Sequence, residues 1–255
     1  MELPVNSNPV IVNTQKRLLK IAKLVTQILE NHKIPYMLAL GTLLGAVRHK
    51  GFIPWDDDFD IIIFDEYYDQ AMIFLRNELS SDLFLEDQYS EPLYFHSWAH
   101  VKDLNSIVEF EEFPQDAYYS HKGISFDLYR SKKMPFHELQ QYLINENLRY
   151  VNCRYEKGLI SKDEYQKRII SIDKDISMPN PHKDDSSFVY SLIGIYKTKH
   201  MYEDDIFPLK KYTFEDTQFL GPNNADAILK SVYGDYMKFP PVEKRRSHYS
   251  KVIFK

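Results

Sequence analysis

A chain of 255 residues with 44 % hydrophobic and 27 % charged side chains can build a sizeable globular core, as one large domain or two small ones. A formal net charge of −5 gives no basic footprint for nucleic acid, and 8 Gly beside 19 Tyr and 16 Phe argue against a repetitive or disordered chain. The start carries acidic Glu2 and no apolar run, no 18-residue apolar span follows anywhere, and the lone Cys153 can form no internal disulfide, so a cytoplasmic protein with at most peripheral membrane contact is expected.

Leu18, Ile21, Ala22, Val25, Ile28 and Leu29 recur at helical spacing, with Lys16, Arg17, Lys20 and Lys23 largely between them, which predicts an amphipathic helix over 14–32 with a solvated basic face. Ile34-Pro35 stops it, and 36–40 is a short apolar strand bounded by Gly41. One or two helical turns over 42–47 and a loop over 49–55 lead into a strand over 59–64. Asp65 caps a further helix with Tyr68, Met72 and Leu75 on one face, ending near Ser80-Ser81.

Residues 83–85, 94–102, 106–110 and 123–129 read as strands, so 38–129 holds most of a mixed sheet. From 135 to about 175 the pattern is helical, with a second start at the capping box Ser161-Lys-Asp-Glu164, and Cys153 within it reads as a structural thiol. The Pro-rich polar stretch 177–187 is a linker candidate. The last quarter holds a Phe-Pro segment, a turn at 221–224, a helix over 225–233 and a basic end, Lys244-Arg245-Arg246.

The chemistry concentrates in 38–64, where Asp56, Asp57, Asp58 and Asp60 run directly into Ile61, Ile62, Ile63 and Phe64. Carboxylates carried into a buried strand need a cation. Asp58 and Asp60 are two apart, so on a strand they share a face and could clamp one or two divalent ions, Mg²⁺ or alternatively Mn²⁺. Asp127, at the end of another apolar strand, is the expected third ligand, whereas Asp56 and Asp57 read as a solvated or turn-capping pair. Gly41 and Thr42 open a helix after a strand, where backbone N–H groups can hold phosphate, and Arg48, Lys50 and Lys102 supply cations. His96 and His100 lack a metalloprotease pattern and, on one continuous strand, would stand ~13 Å apart, so a core or surface role is expected for both. His248 contacts phosphate or belongs to a solvated tail.

The string GTLLGAVRHKGFIPWDDDFDI, residues 41–61, closely resembles the signature of the LicD/fukutin family, part of the polymerase-β-like nucleotidyltransferase superfamily. Lys102-Asp103-Leu-Asn105-Ser106, Gly123-Ile-Ser-Phe-Asp127, Phe207-Pro208, Tyr233-Gly-Asp-Tyr-Met237, Pro240-Pro241 and His248 resemble further family landmarks. The resemblance implies an α/β (α+β) fold: a nucleotidyltransferase-like mixed sheet flanked by helices in a single domain over 1–255. Within it a catalytic core (14–130), a helical insertion (131–200) and a C-terminal lobe (201–255) are expected. It implies a phosphotransferase that moves a phosphoryl-alcohol unit from a CDP-activated alcohol, CDP-choline above all, to a hydroxyl of a glycan or lipid-linked glycan such as teichoic acid, lipopolysaccharide or capsule precursor, releasing CMP.

Under that reading Asp58, Asp60 and Asp127 are the catalytic metal ligands, and Gly41, Thr42, Arg48, Lys50, Trp55, Lys102 and His248 bind substrate. The aromatic rings of Trp55, Tyr94, Phe95 and Trp98 suit a choline headgroup and equally a packed core. One departure is the run Leu-Tyr-Arg-Ser-Lys-Lys after Asp127, where the family continues with Phe-Pro-Leu-Asp. The alternatives are a nucleotidyltransferase that moves NMP from an NTP, and a catalytically inactive glycan- or nucleotide-binding protein.

Overall fold

The computed structural model describes residues 8–110, 118–175, 188–192 and 200–255; the linker expected over 177–187 lies outside them. The first helix, α1 (Pro9–Asn31), starts earlier than its apolar spacing suggested, because Asn8 caps it by accepting from Val10 N at 3.0 Å and Pro9 stands in its first turn. Its apolar stripe, with Leu18, Ala22, Val25 and Leu29 wholly buried, forms one wall of the main core. Each of its Leu and Val side chains contributes about 2 kcal/mol by leaving water.

The chain then runs through β1 (Tyr36–Leu38), α2 (Leu40–Arg48), β2 (Asp60–Phe64), α3 (Asp65–Glu78), β3 (Leu83–Glu86), β4 (Ala99–Asp103), β5 (Ser106–Phe110) and β6 (Ser125–Pro135). After a short turn come α4 (Leu139–Glu156), α5 (Lys162–Asp175), β7 (Phe188–Leu192), β8 (Met201–Tyr202), α6 (Glu203–Ile206), the β9 (Lys210–Phe214) and β10 (Thr217–Gly221) hairpin, α7 (Ala225–Tyr233) and β11 (Tyr249–Phe254).

The main sheet runs β1-β2-β6-β4-β3, with β7 on β6 and β8 on β7. Its one parallel pair among these is β2 with β6. The result is a mixed α/β fold with helices flanking a mixed sheet. All five residues of β2 and of β4 are buried, which explains the continuous apolar run Ile61–Phe64 where a half-exposed strand would alternate.

The strand expected over 94–102 begins only at Ala99. Residues Tyr94, Phe95 and Tyr119 instead form a separate aromatic cluster against α4, and Cys153 lies beside it. Met134, Leu139, Leu143, Val151 and Val189 make a second small core between β6, β7 and the α4–α5 pair. Residues Phe214, Phe219, Ile228 and Tyr249 belong to the main core, and β11 pairs antiparallel with β5. The C-terminal segment thereby reaches the cavity beside the aspartates.

Candidate active site

A cavity of about 760 Å³ opens at the end of β2 and β6, lined by Asp56, Asp58, Asp60, Asp127, Arg48, Trp55, Lys102, Arg246 and His248 among others. Register explains how distant residues meet there. Asp60 on β2 pairs with Asp127 on β6, and Asp127 pairs with His100 on β4. Laterally paired residues project to the same face of a sheet.

The WDDDFD turn divides its acids. Asp56, Asp58 and Asp60 face the cavity, while Asp57 turns inward and is 1 % exposed. Asp57 accepts from the backbone N–H groups of His248 (2.8 Å) and Tyr249 (3.1 Å), and His248 Nδ1 stands 3.0 Å from its Oδ1. This clasp fastens β11 to the turn, and Tyr249 in its turn accepts from Ser125 N at 3.1 Å. No local signal distinguishes Asp57 from its neighbours, because its partners lie 191 and 192 residues away.

The three cavity-facing carboxyls crowd one another, and His248 Nδ1 stands 3.5 Å from Asp58 Oδ2. Burial and mutual repulsion raise Asp56 and Asp60 well above the ordinary carboxylate range, and burial raises Asp58 as well, against the pull of His248. Asp58 Oδ1 is buried without a hydrogen-bond partner. Burial alone would lower His248, but its hydrogen bond to Asp57 and the charges of Asp58, Asp57 and Asp56 push it up to about 10. The imidazolium is therefore a local counter-charge to the acids.

Ligand atoms of Asp56, Asp58 and His248 all lie within 4.8 Å of one another. Carboxylate oxygens that repel one another beside an orphaned buried oxygen fit a hard divalent cation. Asp56 thus stands with the cavity acids and not with Asp57. Gly41 is what admits it, since a Cβ there would meet Asp56 Oδ2 at 2.9 Å.

Asp127 differs. Its Oδ1 accepts from Ser125 Oγ at 3.0 Å, its Oδ2 from Tyr129 Oη at 3.4 Å, and His100 Nε2 stands 3.7 Å away. Ser125 and Tyr129 alternate with it along β6, so the run after Asp127 supplies a hydroxyl to it. The next residue, Arg130, pairs with Asp65 and with Asp69 (3.1 Å) on α3.

The remaining expected site residues are placed as follows. Arg48 lines the cavity, donates to Tyr236 O at 2.6 Å and lies over Phe239 at 4.8 Å. It also donates to His49 Nε2 at 2.9 Å; burial and the Arg48 charge lower His49 to about 4, which keeps that ring neutral and able to accept. Trp55 lines the same wall beneath Arg245, 4.9 Å from its ring. Lys102 reaches the cavity but is 1 % exposed and 3.8 Å from Glu86. Thr42 is buried, its hydroxyl accepting from Asp60 N at 2.8 Å, so it holds the strand end that carries Asp60. Lys50 is exposed and lies outside the cavity lining.

Two further cavity residues were not anticipated. His96 and His100 have ring centroids 5.3 Å apart, because the chain between them is not the extended strand that would separate them. His96 packs on Trp98 (4.4 Å) and Trp98 on Tyr129 (5.0 Å), which forms an aromatic wall beside Asp127. Trp98 and its aromatic neighbours were legible only as a local density of rings.

Residues 33–141 match the family model of the LicD/FKTN/FKRP nucleotidyltransferase domain. The chain is 28 % identical over 240 residues to the lipopolysaccharide cholinephosphotransferase LicD of Haemophilus influenzae, covering 86 % of this chain and 88 % of that one. An uncharacterised protein of Rickettsia prowazekii is 30 % identical over 142 residues, 54 % of this chain and 53 % of its own. An uncharacterised protein of Rickettsia typhi is 29 % identical over 141 residues, 51 % of this chain and 43 % of its own. The family match spans Asp56, Asp58, Asp60 and Asp127 and stops before Asp235 and His248 of the cavity lining. Among the described residues no helix is long and apolar enough to cross a membrane.

Proposed function

Residues 33–141 of this chain belong to the LicD/FKTN/FKRP nucleotidyltransferase domain family, and from that premise we propose that the protein is a metal-dependent phosphotransferase of glycan modification. Its donor is a CDP-activated alcohol, with CDP-choline favoured because the Haemophilus relative is a lipopolysaccharide cholinephosphotransferase. Its acceptor is a hydroxyl of a cell-surface glycan, free or lipid-linked, met on the cytoplasmic side. The observation that carries this reading is the orphaned Asp58 oxygen in a cavity whose other walls are basic and aromatic.

Asp58 with Asp56 beside it, and Asp60 on the same cavity wall, would hold Mg²⁺ or Mn²⁺. Such an ion, when bound, neutralises phosphate charge as it develops in the transition state. Arg48 and Arg246 attract the donor's phosphates, and Trp55 with Phe239 offers ring faces for the nucleoside. Trp98 and Tyr129 present aromatic faces beside Asp127, an arrangement that suits a quaternary ammonium because it is held by ring faces and nearby carboxylates without hydrogen bonds.

Asp127, held by Ser125 and Tyr129, is placed to take the acceptor proton. The acceptor oxygen bonds to the phosphorus that carries the alcohol, the bond from that phosphorus to the bridging oxygen breaks, and CMP leaves with the electron pair. The hydroxyl proton passes to the Asp127 carboxylate.

The test is to incubate the pure protein and Mg²⁺ with CDP-choline, CDP-ribitol and CDP-glycerol, with and without candidate glycans, and to measure CMP. Glycan-dependent CMP release supports the reading. Pyrophosphate released from an NTP in place of CMP would assign the same acids to nucleotidyl transfer, and Mg²⁺-dependent nucleotide binding without turnover would assign the fold to recognition.

A further inference from the structure

Four charged or titratable residues stand side by side across four strands. The pairing register sets Glu86 on β3 against His100 on β4, His100 against Asp127 on β6, and Asp127 against Asp60 on β2. Because paired residues share a face, the row runs across the sheet from buried Glu86 on β3, the last strand of the order, into the cavity. The side chains follow the backbone. His100 Nδ1 stands 3.1 Å from Glu86 Oε2 and its Nε2 3.7 Å from Asp127 Oδ1, while Lys102 Nζ lies 3.8 Å from the same Glu86 oxygen. Glu86 is wholly buried and His100 is 3 % exposed. Isolated charges at such depth are unfavourable, so a row of this kind persists where its members satisfy one another.

We propose that His100, anchored by Glu86, is a positioning residue for Asp127: its ring spans the two carboxyls and fixes the Asp127 carboxylate toward the reacting hydroxyl. Glu86 sets the ring's orientation through Nδ1, and Lys102 compensates the charge of Glu86 so that the anchor can stay buried. Lys102 is then part of the anchor and not a donor-phosphate ligand. The inference rests on the transferase reading for its kinetic consequence and on the sheet register alone for its geometry.

The test combines two readouts. In the CDP-alcohol assay, His100→Gln and Glu86→Gln are expected to lower kcat about ten- to hundred-fold with donor KM within roughly two-fold, the scale of a lost supporting partner at a site. Circular dichroism and thermal melts identify any variant that has merely unfolded. Independently of turnover, histidine-selective ¹⁵N spectra of the otherwise wild-type protein should show the His100 Nε2 signal moved by Asp127→Asn and the Nδ1 signal moved by Glu86→Gln. Full kcat in a folded His100→Gln protein, or a His100 Nε2 signal indifferent to Asp127→Asn, overturns the proposal. If the wild-type protein turns over no CDP-alcohol, the transferase reading fails and the spectra still decide the bridge.

Discussion

The two sides of the cavity hold the same residue type under opposite conditions. On the β2 side Asp56, Asp58 and Asp60 crowd one another, and an oxygen of Asp58 is buried with no partner. On the β6 side Asp127 accepts from Ser125 and Tyr129 and faces His100. A carboxylate left short of partners is poised for a cation that the chain itself does not supply, whereas one already held is oriented for a directional task such as proton transfer. The difference is set by neighbours and not by the aspartates.

The largest effect should come from removing a β2-side acid. Asp58→Asn is expected to lower transferase kcat by roughly 10²–10³-fold, about 3–4 kcal/mol, with the fold intact by circular dichroism. Unchanged turnover would mean that the unsatisfied side carries no chemistry. Asp57→Ala separates support from chemistry within the same turn: it removes a buried clasp on His248 and Tyr249 and should cost about 3 kcal/mol of stability, read as a lower urea midpoint. A midpoint equal to wild type would dismiss the clasp.

Divalent ion should act in the opposite sense. Mg²⁺ at a hundred times its dissociation constant is expected to add ~2.7 kcal/mol of stability to wild type and far less to Asp58→Asn.

The pH dependence without the ion has a definite sign. His248 is raised from 6.5 to about 10, so the stability from its imidazolium is fully present below pH 6.5 and lost as pH rises through about 10. The cavity carboxyls, also raised, lose stability in the same direction as they ionise. Melting temperature in chelator should therefore fall between pH 6.5 and 10, and Mg²⁺ should flatten that slope. A rising profile would contradict the assigned charges. The smallest effect is Thr42→Val, which leaves Asp60 N–H without its 2.8 Å acceptor and should cost about 1 kcal/mol, measured by denaturation.

Local pattern made much of the fold legible. The apolar stripe of α1, the run Ile61–Phe64, the strand Ser106–Phe110 and the helix Ala225–Tyr233 all follow from periodicity, and the structure places the last two at the residues expected. The hairpin of β9 and β10, and β11, were not legible, because short strands with mixed exposure carry little periodic signal and are stabilised by distant partners.

The same limit governs the site. Asp58, Asp60 and Asp127 stand out locally, as acids entering apolar strands. The separate fates of Asp56 and Asp57, the burial of Thr42 behind Asp60 and the place of His100 beside Asp127 depend on register and on a C-terminal strand some 190 residues away.

The contrast between the two sides is tested most directly by Mn²⁺ binding, followed by electron paramagnetic resonance, in wild type, Asp58→Asn and Asp127→Asn. The expected result is one tight site in wild type, its loss in Asp58→Asn and its retention, within a few-fold in affinity, in Asp127→Asn. Equal loss in both variants, or no tight site in wild type, would contradict the assignment of the cation to the crowded aspartates around Asp58 and of proton transfer to the held one.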